Sequence, residues 1–269
     1  MRIGNKDFHW GTRTYVMGIL NMTPDSFSDG GMHNAPADAV VHAAKMVTEG
    51  VDILDVGGES TRPTHTPVSA EEEMARILPV IRMLADRFPD VPVSVDTMKA
   101  DVAREAIRAG ACLINDVWGF RQDPAMAEVA AQTGVVCCLM HNRAEAVYGN
   151  LMDEICTDLL ESVRIALAAG VVRDRILLDP GIGFGKTKEH NLEVLRHLDR
   201  IRALGYPVLL GTSRKSVIGL TLGLPVEERL EGTLATTALG IAQGVDVVRV
   251  HDVRENVRAC RMADAIIRG

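Results

Sequence analysis

About eight times along this chain a short, nearly all-apolar run ends on a polar residue, and a stretch with helical periodicity follows. The runs are Val16–Leu20, Ile53–Leu54, Val93–Val95, Leu113–Ile114, Val135–Met140, Ile176–Leu178, Val208–Thr212 and Val247–His251. Helices are expected over 37–49, from Ser69 toward Arg87, from a Thr97 cap to Ala109 with Gly110 as the stop, from near Pro124, and over 151–169, 191–204, 229–243 and 253–267. Strands this apolar have both faces covered, the condition of parallel strands flanked by helices. With right-handed crossovers, such units in roughly 250 residues close most naturally into a (β/α)8 barrel with its active site at the C-terminal strand ends. An open doubly wound sheet is the alternative. No linker or composition break divides the chain, so one domain over 1–269 is expected.

With 269 residues, 47% of them hydrophobic and 24% charged, the chain can bury a full core. A net charge of -7 argues against a nucleic-acid partner or an acidic membrane surface. The cysteines (Cys112, Cys137, Cys138, Cys156, Cys260) are odd in number and lack Cys-x-x-Cys spacing, so neither a disulfide framework nor a zinc site is indicated. Free thiols, no signal-like segment and no span of membrane length together predict a reduced, cytoplasmic setting.

The strongest local hint of a site is Ile176-Leu177-Leu178-Asp179-Pro180-Gly181-Ile182-Gly183-Phe184-Gly185-Lys186-Thr187, a strand that stops on a carboxylate and enters a glycine-rich loop. It is not a P-loop, because Pro180 stands where the first glycine belongs, and it is not a dinucleotide fingerprint, because Lys186 replaces the third glycine. Asn21, Asp55, Asp96, Asn115, His141, Asp179, the Ser213-Arg214-Lys215 cluster and Arg249 with His251 also fall at strand ends. Any one of them could be a turn or cap residue; their recurrence in nearly every unit points to a shared face. Asp96, Asn115 and Asp179 suit a planar heterocycle with adjacent N–H donors and a carbonyl, such as a pterin or guanine edge, with Lys215 donating to the ring and Phe184 and Met140 against its faces. Arg249 and His251, two apart on one strand beside Asn21, suit an anion such as a diphosphate carrying Mg2+. The loops holding Ser26 to Asp29 and Glu59 to Arg62 are lid candidates.

These motifs, taken in order along nearly the whole chain, resemble the dihydropteroate synthases. The matching runs are Gly18-Ile19-Leu20-Asn21-Met22-Thr23-Pro24-Asp25-Ser26-Phe27-Ser28-Asp29-Gly30-Gly31, Asp55-Val56-Gly57-Gly58-Glu59-Ser60-Thr61-Arg62-Pro63, Ser94-Val95-Asp96-Thr97, Ile114-Asn115-Asp116-Val117, Leu178 to Thr187, Gly211-Thr212-Ser213-Arg214-Lys215-Ser216 and Val248-Arg249-Val250-His251-Asp252-Val253. The resemblance implies a (β/α)8 barrel, Mg2+, a homodimer and sensitivity to sulfonamides. It implies condensation of 6-hydroxymethyl-7,8-dihydropterin diphosphate with 4-aminobenzoate to 7,8-dihydropteroate and diphosphate. It places Asp96, Asn115, Met140, Asp179, Phe184, Gly211 and Lys215 around the pterin, and Asn21, Arg249 and His251 on the diphosphate, with Asn21 on the metal. Phe27, Thr61, Arg62, Pro63, Ser213 and Arg214 would surround the aminobenzoate. Asp29, Asp96, Asp179, Lys215, Arg249 and His251 would carry the catalysis, in which C–O cleavage leaves a pterin-methyl cation for the arylamine to attack.

Two departures from the family pattern stand out. Thr64-His65-Thr66-Pro67 follows Arg62-Pro63 where a glycine is usual, and Asn142-Arg143-Ala144-Glu145-Ala146-Val147-Tyr148 replaces a Met and a Gly-Pro-containing loop after His141. Rival readings are a corrinoid-linked pterin methyltransferase, which would not need Ser213-Arg214-Lys215 or the Arg249/His251 pair, and a non-catalytic pterin-binding paralogue.

Overall fold

The computed structural model describes residues 1–22, 35–59 and 67–269. A two-stranded antiparallel hairpin, β1 (Arg2–Ile3) and β2 (Lys6–Asp7), comes first. The expected alternation follows: β3 (Tyr15–Asn21), α1 (Ala35–Glu49), β4 (Ile53–Gly57), α2 (Ala70–Arg87), β5 (Val93–Asp96), α3 (Ala100–Arg108), β6 (Leu113–Asp116), α4 (Ala125–Thr133), β7 (Val136–Met140) and α5 (Leu151–Ala169). The second half continues with β8 (Ile176–Asp179), α6 (Lys188–Arg196), α7 (Leu198–Arg202), β9 (Leu209–Leu210), α8 (Ser216–Leu222), α9 (Leu230–Ala242), β10 (Val247–Val250) and α10 (Val253–Ile267). Eight strands form one parallel sheet in the order β8-β7-β6-β5-β4-β3-β10-β9. A parallel bridge between Leu178 and Val208, with the Leu178 N–H donating to the Pro207 carbonyl at 2.9 Å, joins its two ends. The sheet is therefore a barrel, as the run of apolar strands predicts.

Because side chains alternate across a strand, each strand sorts its residues between two apolar layers. Met17, Ile53, Leu113, Cys138, Leu177, Leu209 and Val247 form the core inside the barrel. Val16, Leu54, Val95, Ile114, Cys137, Leu139, Leu178, Leu210 and Val248 pack outward against the helices. The register links inward positions around the ring, with Asp55 opposite Ser94, Asp96 opposite Asn115, Asn115 opposite Cys138, and Met140 opposite Asp179. Two residues beyond Ile53, Leu113, Leu177, Leu209 and Val247 stand Asp55, Asn115, Asp179, Gly211 and Arg249. The interior thus changes from apolar to polar within one step of the alternation.

Several local features differ from the sequence expectation. The helix expected over 191–204 is two helices broken at His197, whose backbone leaves the helical region at φ -128°, and Gln243 ties the break by accepting from Leu198 N–H and donating to the Leu195 carbonyl. Thr97 does not cap α3: Lys99 holds the cap position, and the Asp123 carboxylate, from the loop before α4, accepts from Ala100 N–H at 2.8 Å. The short α8 and the hairpin lacked periodic signals long enough to read. The hairpin closes the N-terminal end of the barrel, where Phe8 is fully buried against Trp10 and Tyr15. Phe8→Ala should destabilise the fold by about 3–5 kcal/mol through cavity formation, read as a lowered urea midpoint; an unchanged midpoint would show that the plug adds nothing.

Candidate active site

At the C-terminal end of the barrel the first element is an ion cluster assembled from four strands. Arg249, from β10, donates through Nε to Asp55 Oδ2 on β4 and through Nη2 to Asp96 Oδ2 on β5, both at 2.6 Å. Asn115, on β6, donates to the same Asp55 oxygen at 3.3 Å. Asp55, Asp96 and Asn115 are all buried, and among the described residues Asp55 Oδ1 and Asp96 Oδ1 have no hydrogen-bond partner. Burial pushes the Asp96 pKa up to about 7 even with Arg249 beside it, because one guanidinium is divided between two carboxylates. Arg249 itself is held firmly protonated: its own burial opposes the charge, and Asp55 and Asp96 outweigh it.

The second element is the loop after β8. Asp179 is buried and accepts from the Gly181 N–H at 2.7 Å, and burial raises its pKa against the opposing charges of Lys215 and Arg249. Lys215, at the N-terminal boundary of α8, donates to the Ile182 carbonyl and lies 4.8 Å from the Phe184 ring centroid. Burial lowers its pKa to about 8, with Asp179 pulling the other way. A Cβ built on Gly211 would stand 3.7 Å from Lys215 Nζ, 3.9 Å from the Arg249 Cβ and 4.0 Å from Asp179 Oδ2, so Gly211 fronts the space these three share. Met140, opposite Asp179 on β7, is buried, and Phe184 is half-buried.

At the rim, Ser213 Oγ lies 3.0 Å from His251 Nδ1 and accepts from the His251 N–H. Arg214 adopts a left-handed backbone, φ 57°, and forms a bidentate pair with Asp252. The loops after β9 and β10 are thereby fastened together. Arg249 and His251 share a strand end as expected, but the Arg249 guanidinium turns down onto the carboxylates while His251 turns to Ser213. Asn21 is exposed at the end of β3, its Oδ1 3.7 Å from where a Cβ on Gly57 would be. Phe27, Asp29, Thr61, Arg62 and Pro63 lie outside the described residues.

Among the described residues no group of three or more His, Cys, Asp or Glu side chains is placed to hold a metal. The donors present fit Mg2+ only as an ion carried mainly by its ligand's oxygens, with Asn21 Oδ1 as a protein oxygen at the rim.

Two constellations beside these residues were left unassigned by sequence reasoning. Asp55 was visible as one more strand-end carboxylate, but its pairing with Arg249 follows only from the barrel register. Behind the β8 loop, Lys186 Nζ donates to His141 Nδ1 at 2.8 Å, Gly181 O at 3.0 Å and Phe184 O at 3.1 Å. Burial lowers Lys186 to about 7 and His141 to about 2.

Comparison with known proteins bears on this arrangement directly. Residues 17–251 match the family described as Pterin binding enzyme. A dihydropteroate synthase of Clostridium beijerinckii is 60% identical over 269 residues, covering 100% of both chains. The crystal structure of a dihydropteroate synthase from Clostridium difficile, determined in the presence of pteroic acid, superposes with a TM-score of 0.95 at 53% identity, covering 98% of this chain and 100% of that one. A Xanthomonas albilineans dihydropteroate synthase with 4-aminobenzoic acid gives a TM-score of 0.91 at 44% identity, over 94% and 93% of the two chains. Since the matched span runs from the middle of β3 to His251, it takes in the whole ring of strand-end residues, and the chain belongs to the pterin-binding enzyme family, among the dihydropteroate synthases.

Proposed function

We propose that this chain condenses (7,8-dihydropterin-6-yl)methyl diphosphate with 4-aminobenzoate, and that the strand-end ring is where it does so. The observation that carries the reading is the buried carboxylate oxygen Asp96 Oδ1, without a donor among the described residues. Buried acceptors of this kind are costly unless a ligand brings N–H groups to them. The amino and ring N–H groups of a pterin supply such donors to Asp96 and Asp179, Asn115 adds an amide, and Lys215 donates to the ring from the opposite side. Met140 and Phe184 then flank the ring faces.

The reaction follows from the charges. The C–O bond breaks with its electron pair leaving on the diphosphate, and positive charge develops on the pterin methylene. With all three ionised, Asp55, Asp96 and Asp179 exceed Arg249 and Lys215 by one negative charge, which favours that cation. His251, fixed by Ser213, faces the leaving group from the rim. Mg2+ would be held there by Asn21 and the diphosphate oxygens, and would supply further positive charge to the leaving group. The arylamine attacks with its own lone pair and then loses a proton to solvent or diphosphate, so no strong protein base is required. Phe27, Thr61, Arg62 and Pro63 are assigned to the aminobenzoate by resemblance, with Asp29 closing over it.

A homodimer is part of the same proposal, supported by exposed apolar side chains on three successive helices: Leu220 on α8, Leu239 on α9, and Met262 and Ile266 on α10. No described helix is long and apolar enough to cross a membrane, and the five cysteines are free thiols, which supports the cytoplasmic reading.

Diphosphate release measured with pterin diphosphate and Mg2+ should depend on 4-aminobenzoate and be matched by pteroate in the mass spectrum. Tight pterin binding without pteroate would favour the non-catalytic paralogue instead. A second expectation concerns Asp96. Its native pKa of about 7 lies above the value of about 3.9 in an unfolded chain, so the cost of ionising it in the fold grows above about pH 4 and is complete above about pH 7. Asp96→Asn should therefore raise the melting temperature at pH 8, raise it less at pH 5, and abolish pterin binding; a melting point lowered equally at both pH values would contradict this. Gly211→Ala should leave stability nearly unchanged, because the added Cβ meets only ordinary contacts of 3.7 to 4.0 Å, yet weaken pterin binding by occupying the pocket, which calorimetry would register.

A further inference from the structure

The loop that carries Asp179 also supplies the Gly181 N–H that Asp179 accepts and the Ile182 carbonyl that Lys215 donates to. Gly181, Gly183 and Gly185 in this loop all have positive φ, of 70°, 84° and 55°, so its shape depends on the hydrogen bonds that hold it. What holds it lies behind it. Lys186 is half-buried as a residue, and its Nζ is surrounded by three acceptors: His141 Nδ1, Gly181 O and Phe184 O. An ammonium has three N–H donors and no acceptor, so the three bonds match the charged form in number and offset part of the cost of its desolvation.

His141 can accept from Lys186 only if Nδ1 carries no proton. That tautomer is fixed on the far side of the ring, where Nε2 lies 3.2 Å from Asp158 Oδ2 and donates to it. Asp158 is in turn bound by Arg143 Nε at 2.7 Å. The segment 142–148, which departs from the family pattern, forms the outer part of this brace. The Arg143 guanidinium lies 4.6 Å from the Tyr148 ring centroid, and Tyr148 Oη donates to the Gly185 carbonyl at 2.7 Å. Contact between the two loops is backbone on backbone: a Cβ on Gly181 would lie 1.9 Å from the His141 carbonyl oxygen, and one on Gly185 would lie 2.4 Å from that of Arg143.

We infer that Lys186, held by His141 and assisted by Tyr148, is a positioning residue for the pterin subsite, setting Asp179 and Lys215 through the loop between them. The inference rests on the proposed pterin chemistry of the site, and its test separates the two. Wild type, Lys186→Met and Tyr148→Phe are compared for affinity toward free 6-hydroxymethylpterin, for the KM of each substrate, and for melting temperature. Lys186→Met should weaken pterin binding about tenfold, the scale of a lost charge-assisted hydrogen bond, and Tyr148→Phe by a few-fold. The KM for pterin diphosphate should rise in step while the KM for 4-aminobenzoate stays within about twofold, a split that general loosening of the fold would not produce. If Lys186→Met fails to fold, Tyr148→Phe decides, since it removes a single hydroxyl. Variants that bind pterin like wild type, or that raise both KM values equally, overturn the inference and leave the functional reading standing. Wild type that binds no pterin overturns the functional reading and this inference with it.

Discussion

The Arg249 guanidinium reaches into the barrel to carboxylates that arrive on two other strands, and neither carboxylate would be tenable without it. Burying an ionised carboxylate costs several kcal/mol unless a partner compensates, and here two of them share one partner. Arginine suits the task because it cannot lose its proton and because its planar fork offers N–H groups in two directions, Nε to Asp55 and Nη2 to Asp96. A lysine at this position would be a point charge able to satisfy one acid well. Asp96 resists ionisation first because it is buried, and the shared Arg249 offsets that only in part while the Asp55 charge adds to it.

That interaction depends on the barrel. In the strand order β5-β4-β3-β10, Arg249 lies two strands from Asp55 and three from Asp96, so its side chain crosses the interior rather than running along a neighbouring strand. It can do so because Gly211 and Gly57 leave the inner wall bare beside it; a Cβ at Gly57 would already lie 3.5 Å from that of Asp96. Beneath, the apolar set of Cys138, Leu177, Leu209 and Val247 keeps the surroundings low in polarity. Each electrostatic interaction above it is strengthened accordingly.

Much of this was legible in the sequence. Asp96, Asn115 and Asp179 each end an apolar run, and period two places them on the same wall as the core residues before them, so their convergence followed once the strands were taken to close. Arg249 and His251 were legible as a pair for the same reason, but the direction each takes was not: Arg249 meets Asp55 across 194 residues and Arg214 meets Asp252 across 38, and both depend on closure and register. The break at His197 depends on Gln243, far along the chain. Lys186 was harder still. In sequence it follows Gly185 and precedes Thr187 in the manner of a phosphate loop, and no local pattern distinguishes a lysine that turns inward onto three acceptors from one that reaches toward an anion.

The layering of charge along the barrel axis also bears on why the site is built at some cost to stability. A neutral cavity would be easier to bury, and filling the deficit with a further cation would quiet Asp96. Either change would remove the feature that a pterin-methyl cation needs, which is excess negative charge fixed in place before the C–O bond breaks. Directly above that layer stand His251, tied to Ser213, and the N-terminal end of α10, whose backbone dipole is positive. In the proposed reaction the cation forms against the carboxylate layer while the diphosphate departs toward the helix N-terminus at the rim. The raised pKa of Asp96 comes first from its burial and then from the neighbouring Asp55 charge, and the same buried carboxylates would favour the cation in the proposed reaction.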